Sequence, residues 1–157
     1  MKLAKPRHRV MAASLDFIIF LTISLLFFLT KIPFIVSAIF RPSAQVDAGI
    51  IFDVFRAGVV VMTFLVIYFV AIPYYLDGQT LGKKVFRLKI VNEKNNKPSI
   101  GELFLREIIA KVFVDFLSLG LTIVVSFIIM TNREDYRSLS DIIAKTKVID
   151  LYEEENI

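Results

Sequence analysis

Asp16 is the residue most out of place in this sequence. It is the one charge in the apolar run from Val10 to Thr30, and a carboxylate inside a bilayer costs about 2.5–3.5 kcal/mol on insertion scales. Two kinds of work would justify it: accepting bonds from a neighbouring helix to fix packing, or facing a wet cavity as a cation or proton site. Arg9 stands seven residues earlier, on nearly the same helix face, where an interfacial arginine can snorkel and partly neutralise the aspartate. A second constellation is Glu107, Lys111 and Asp115, each four residues from the next. At that spacing the pairs Glu107–Lys111 and Lys111–Asp115 are the ordinary ion pairs of one helix face, with Asp115 as a second candidate ion site near the interface. His8 has the near-neutral pKa of a proton relay, but between Arg7 and Arg9 it reads more simply as part of a basic flank.

Other chemistry is poorly supported. Gly78-Gln79-Thr80-Leu81-Gly82-Lys83-Lys84 has the look of a phosphate loop, yet only three residues separate its glycines, and Lys84 stands where Ser or Thr is needed. With no cysteine and one histidine, thiol catalysis, disulfides and the common metal-ligand sets are excluded. No serine–histidine–acid arrangement stands out, so neither an enzyme nor a bound cofactor or metal is expected. The net charge of +4 does not point to nucleic acid, because the basic residues flank apolar segments instead of forming one face. Arg87 and Lys89 are placed to meet anionic lipid head groups.

The elements that must position these residues are membrane helices. Hydrophobic residues make up 56% of the 157, more than a small soluble domain carries. Ala57 to Leu76 is twenty residues without a charge, the length a helix needs to cross a core of roughly 30 Å. A single membrane domain over 1–157 is expected, with spans near 10–30, 57–76 and 112–131, a cytoplasmic loop at 77–103 and a tail at 132–157. The basic-then-apolar start also fits a secretory signal, but the run is long, holds Asp16 and lacks an A-x-A site. Pro33, Pro42 and Gly49 break the first loop, and the short apolar run Ile32–Phe40 suits the interface. The third segment, Phe104–Met130, would extend about 40 Å if straight, long for one span and short for two, and Gly120 after Ser118 is the place for a bend. In the polar stretch, Phe86, Leu88 and Ile90 alternate with Arg87 and Lys89, which predicts a half-buried strand over Val85–Val91. Lys145–Ile149 is its natural partner.

Lys and Arg collect on the cytoplasmic side of membrane proteins. The N-terminus holds four, Asp77–Lys111 eight, the Lys31–Arg56 loop three and the tail four. A cytoplasmic N-terminus and second loop satisfy the rule. Strand pairing would bring the tail to that same side, since unpaired edges are unfavourable.

Four stretches, in order over nearly the whole chain, resemble the RDD family of small multi-pass bacterial membrane proteins. They are Arg9-Val10-Met11-Ala12-Ala13-Ser14-Leu15-Asp16; Gly78 to Lys84 followed by Leu88-Lys89-Ile90-Val91; Leu105-Arg106-Glu107; and Arg137 to Thr146. The resemblance implies Arg9, Asp16 and Asp141 as signature residues. Arg106, Lys111 and Asp115 stand beside them as secondary candidates. The resemblance also implies a suspected role in transport, with cation/proton antiport proposed for some members. Ser140 departs from the pattern, since many relatives have histidine there, which weakens any His–Asp relay. Asp141 lies in a short amphipathic turn after Ser138, where it can dock the tail to Arg9, Lys83 or Lys84.

The expectation is therefore an all-α integral membrane protein of the cell membrane: a bundle of two firm spans and a bent third segment, capped by a small cytoplasmic strand pair. It would transport a small ligand or monovalent cation, in exchange for protons, with Asp16 as the coupling carboxylate. The alternative is a non-catalytic scaffold or regulatory subunit for a partner protein. Three spans are few for a transporter, so a homo-oligomer would enclose the path.

Overall fold

A computed structural model describes residues 2–29 and 48–151. Strand β1 (Lys2–Leu3) leads into helix α1 (Pro6–Leu29), which opens with proline at its first position, where the missing N–H has no intrahelical partner in any case. Helix α2 (Ala48–Val66) continues through a π-helical turn (Ile67–Ala71) into α3 (Ile72–Tyr75). Pro6–Leu29 and Phe52–Tyr75 are each 24 residues, long and apolar enough to cross a membrane, and only 11% of an 18-residue apolar stretch in each is buried. Phe17, Leu25, Phe52 and Phe55 are among the many large apolar side chains left exposed. Helices apolar all round and covered by so little protein suit hydrocarbon surroundings, not water. They meet at an aromatic contact, where the Phe20 ring lies 5.5 Å from Phe64 and 6.4 Å from Tyr68.

The second span extends further towards its N-terminus than its uncharged stretch. Asp53 and Arg56 sit inside α2, paired to each other at 2.7 Å, and Gly49 is helical, not a breaker. An i,i+3 pair of opposite charges is compatible with helix, so charge marks this boundary poorly. The Ile32–Phe40 run, Pro33 and Pro42 lie outside the described residues.

Beyond α3 come helix α4 (Leu81–Val85), strand β2 (Leu88–Asn92) and helix α5 (Ile100–Phe104), the last opened by a Ser99–Glu102 capping box. A nine-residue π-helical segment (Leu105–Phe113) and α6 (Val114–Leu117) follow. The chain turns at Leu119 and Gly120, both left-handed, with the Gly120 N–H donating to Asp115 O at 2.8 Å and that of Leu119 to Phe116 O at 3.2 Å. These are the paired bonds of a Schellman-type stop. Helix α7 (Leu121–Asn132) then runs to α8 (Leu139–Ile143), which packs back on the π-helical segment, and to strand β3 (Thr146–Asp150). The third apolar stretch is thus a helical hairpin turning at Gly120, not one straight rod.

The sheet is antiparallel in the order β1-β3-β2, with Leu88 opposite Asp150, Ile90 opposite Val148 and Leu3 opposite Ile149. It corrects the expected strand pair to three strands. Lys2–Leu3 is too short to show alternation, and its place in the sheet depends on β3. The predicted Val85–Val91 strand is also shortened. Thr80 caps α4, accepting from Lys83 N at 3.3 Å, so Val85 is helical, and Arg87 in a left-handed conformation starts the strand at Leu88. Leu88, Ile90 and Val148 join Ala4, Ala12, Val70, Leu103 and Ile108 in one core. That core lies where the helix ends meet the sheet.

Candidate functional site

Asp16, on α1, is buried and accepts from three other places in the chain. Tyr68 Oη donates to Oδ1 at 2.9 Å, and the Gly82 backbone N–H donates to the same oxygen at 2.8 Å. Thr80 Oγ1 donates to Oδ2, with Lys83 Nζ 3.8 Å away. The Gly78–Lys84 stretch is therefore a joint and not a phosphate loop. Its backbone closes on α1, where a Cβ at Gly82 would stand 2.4 Å from Ala12 O. Gln79 Nε2 donates to Leu88 O at 2.9 Å, tying the same loop to β2.

Arg9 does not partner Asp16. Seven residues of helix separate the two by about 10 Å along the axis, and a nearer carboxylate is available. Arg9 donates to Asp141, to Tyr136 O and, at 3.4 Å, to Ser138 Oγ. Asp141 is fully buried at the start of α8, where Ser138 N and Oγ donate to its Oδ2 at 3.0 and 2.8 Å. Its Oδ1 lies 3.0 Å from Arg106 Nη2. The expected docking of the tail is present, but through Arg9 and Arg106. Lys83 serves Asp16 instead and Lys84 is exposed. Burial alone would push the Asp141 carboxyl up; Arg106 and Arg9 outweigh it and hold the group well below the usual carboxylate range.

The two joints are linked by the π-helical segment. Its i→i+5 bonding places Arg106 and Lys111 on one side, with Glu107 beside them. Glu107 is buried, with Lys111 Nζ at 2.5 Å and Arg106 Nε at 3.6 Å. Burial works to raise its carboxyl, but Lys111, Lys83 and Arg106 bring it down to about 2. Only one of the two expected i,i+4 pairs forms. Lys111 turns to Glu107, while Asp115 accepts from Thr122 Oγ1 across the hairpin turn, and no Lys111–Asp115 ion pair occurs among the described residues. His8 is half-exposed at the sheet, its Nδ1 3.2 Å from Asp150 Oδ2.

A cavity of about 220 Å³ opens beside this network. Arg9, Lys83, Arg106 and Lys111 line it, with Asp115 as the one carboxylate in its wall. Ser126, Ser138 and Ser140 add hydroxyls; Val10, Ile123, Phe127 and Met130 form an apolar side. Among the described residues no group of three or more histidines and acids could hold a metal ion. Sequence reasoning missed Tyr68 and Thr80, whose hydroxyls make Asp16 tolerable. The available signal was a tyrosine in the interior of an uncharged span.

Two helices long and apolar enough to cross a membrane, a small antiparallel sheet and ion pairs buried where they meet define a mostly helical protein of membrane type. The chain belongs to the RDD family, whose model matches residues 3–145. It is 33% identical over 84 residues to the uncharacterized protein YckC of Bacillus subtilis (strain 168), covering 54% of this chain and 55% of that one. It is 34% identical over 94 residues to the uncharacterized protein YxaI of the same organism, covering 55% of this chain and 57% of that one. The chain thus spans about half the length of the curated relatives it matches. No solved structure matches it significantly.

Proposed function

We propose that this protein is a multi-pass transporter of the cell membrane that moves a small ligand or monovalent cation in exchange for protons. The observation that carries the reading is the cavity walled by buried, mutually paired charges at the junction of α1, the π-helical segment and α7. Ionisable groups retained in such a place are costly, and membrane proteins keep them chiefly along substrate and proton paths. Four cationic side chains line the cavity, and Asp16, Glu107, Asp115 and Asp141 balance them, so a small ligand and a monovalent cation both suit it. Asp16, with four donor groups about it, suits a joint better than a proton exchanger. Lys83 is the better exchanger, because burial brings its amine from 10.5 down to about 8. Glu107 and Asp16 oppose that fall, and Lys111 and Arg106 add to it. Two spans and a hairpin cannot enclose a path alone, so copies of the chain assemble around it.

Proteoliposomes test this with a panel of monovalent cations and small organic acids, following proton movement on solute addition. A member of the panel should drive proton movement in wild type, falling as pH rises through about 8, where Lys83 loses its charge. Lys83→Met should remove that pH dependence. No response above protein-free liposomes to any solute would overturn the reading.

The sheet ties β1, the 77–103 region and the tail to one side, and sixteen of the nineteen Lys and Arg residues lie in or next to these segments. We place that side in the cytoplasm by the positive-inside rule. Single cysteines at Lys2 and Lys94 should resist an impermeant thiol reagent added outside, whereas one at position 47 should react. The reverse pattern would invert the orientation.

A further inference from the structure

We propose that the third apolar segment is a re-entrant hairpin. It enters the bilayer from the sheet side, turns among the acyl chains near the midplane and leaves on the side from which it came. The partner of its exposed tip is the lipid hydrocarbon of one leaflet.

Both ends of the segment are fixed on one side. Strand β2 precedes it and β3 follows it, and the two pair directly, from Leu88 with Asp150 to Asn92 with Thr146. At its roots Arg106 meets Asp141 at 3.0 Å. Arg9, near the start of α1, donates to Tyr136 O and Asp141, both beyond the end of α7. The arms are too short to cross. Helix α7 has 12 residues against the 24 of α1. It extends about 18 Å, more than half of a roughly 30 Å core and well short of the whole. Helix α7 packs on α1, so the tip stands level with the middle of that span.

The tip is made for hydrocarbon. Leu119 is 94% exposed and Phe116 78%, with Leu117 and Leu121 exposed beside them. Through Ile123 and Phe127 they continue the bare apolar surface of α1. The backbone of the turn is the second, independent sign. A turn in lipid has no water to satisfy its N–H groups, and here every N–H from 118 to 123 finds an acceptor within the hairpin. Ser118 N donates to Val114 O at 3.0 Å, Leu119 N to Phe116 O at 3.2 Å and Gly120 N to Asp115 O at 2.8 Å. Leu121 N donates to Ser118 O and Ile123 N to Gly120 O, each at 3.1 Å, and Thr122 N to Ser118 Oγ at 3.3 Å. The hydroxyls are engaged in the same way: Ser118 Oγ donates to Asp115 O at 3.2 Å and Thr122 Oγ1 to the Asp115 carboxylate. A turn surrounded by water needs none of this. Asp115 itself lines the cavity, which keeps its charge out of the lipid.

The chain contains no tryptophan and no cysteine, so single probes can be placed without background. Leu119→Trp reads depth in full-length protein reconstituted into phosphatidylcholine brominated near the head group, at mid-chain or near the chain end. Phe17→Trp, halfway along α1, is the deep standard, and Phe104→Trp, at the root of the hairpin, is the shallow one. Leu119→Trp should be quenched most by the chain-end bromines, as Phe17→Trp is. Its ring should lie within about 5 Å of the midplane, given an arm of about 18 Å and a half-core of about 15 Å. Phe116→Trp repeats the measurement if Leu119→Trp does not fold. Glu134→Cys, just past α7, should react with an impermeant thiol reagent only from the side on which Lys2→Cys reacts. Quenching as shallow as that of Phe104→Trp would lay the hairpin on the membrane surface and overturn the proposal. Labelling of Glu134→Cys from the opposite side to Lys2→Cys would make the segment a third span and overturn it equally. So would a tip that no brominated lipid quenches, because protein would then cover it.

Discussion

Asp141→Ala should lower the unfolding free energy by about 3–5 kcal/mol, the cost of removing one partner from a buried ion pair. The fall is large because two arginines lose the same partner. Arg106 is left charged at 2% exposure and Arg9 at 10%, and the Ser138 cap of α8 loses its reciprocal acceptor. Marginal domains hold about 5–15 kcal/mol in all, so part of the variant population should be unfolded at moderate temperature. Unfolding in detergent measures this directly, and protease cleavage at Arg137 should accelerate as the tail loosens. Asp141→Ala/Arg106→Met should regain only the part due to Arg106, since replacing both members of a pair with apolar groups is often neutral while Arg9 still lacks its carboxylate. A single variant within about 0.5 kcal/mol of wild type, the range of ordinary surface changes, would refute the role. The pH dependence has a fixed sign. A carboxyl held below its unfolded value stabilises fully above about 3.9 and loses that contribution only as pH falls further.

The second large effect is expected at Gly82. A Cβ there would stand 2.4 Å from Ala12 O and 2.8 Å from Asp16 Cγ. The first is backbone of α1, so only a shift of the helix relieves it. Gly82→Ala should therefore separate α1 from α4 and break the Gly82 N–H bond to Asp16. Overpacking costs about 1–3 kcal/mol and a hydrogen bond to a charged group about 1.5–3, so the sum is roughly 2–5 kcal/mol. Gly58, with nothing within 4 Å of its Cβ position, is the control. Gly58→Ala should be neutral or slightly stabilising, because alanine favours helix. Equal unfolding temperatures for the two variants would remove the close approach from the account of stability.

The contrast between these two sites shows what a sequence carries. Asp16 is visible because a charge in a long apolar run violates the local pattern, and Gly120 because a turn must interrupt an overlong helix. Their partners are invisible. The donors to Asp16 come from 52 to 66 residues away, and no periodicity connects Tyr68 with Thr80. Arg9 and Asp141 are 132 residues apart; only the family resemblance singled out Asp141. Spacing misled twice, pairing Arg9 with Asp16 and Lys111 with Asp115. Each time a carboxylate or hydroxyl from another element offered a shorter contact. Alternation placed the β2 strand but not its start, because the Thr80 cap extends helix through Val85. Arg106, noted in the sequence only as a secondary candidate, became central once its burial was known.

The order of the sheet has a consequence for biosynthesis. Its middle strand is the last of the three to be made, and the first, at Lys2–Leu3, waits for it through the synthesis of nearly the whole chain. Until Thr146–Asp150 leaves the ribosome, β1 and β2 have no neighbour, and Arg9 and Arg106 have no Asp141. Contacts so distant in sequence form slowly, and unpaired edges invite other chains. Both apolar helices can enter the bilayer long before that. A nascent or truncated chain would thus be inserted but uncapped, its basic residues open to proteases on one face of the membrane.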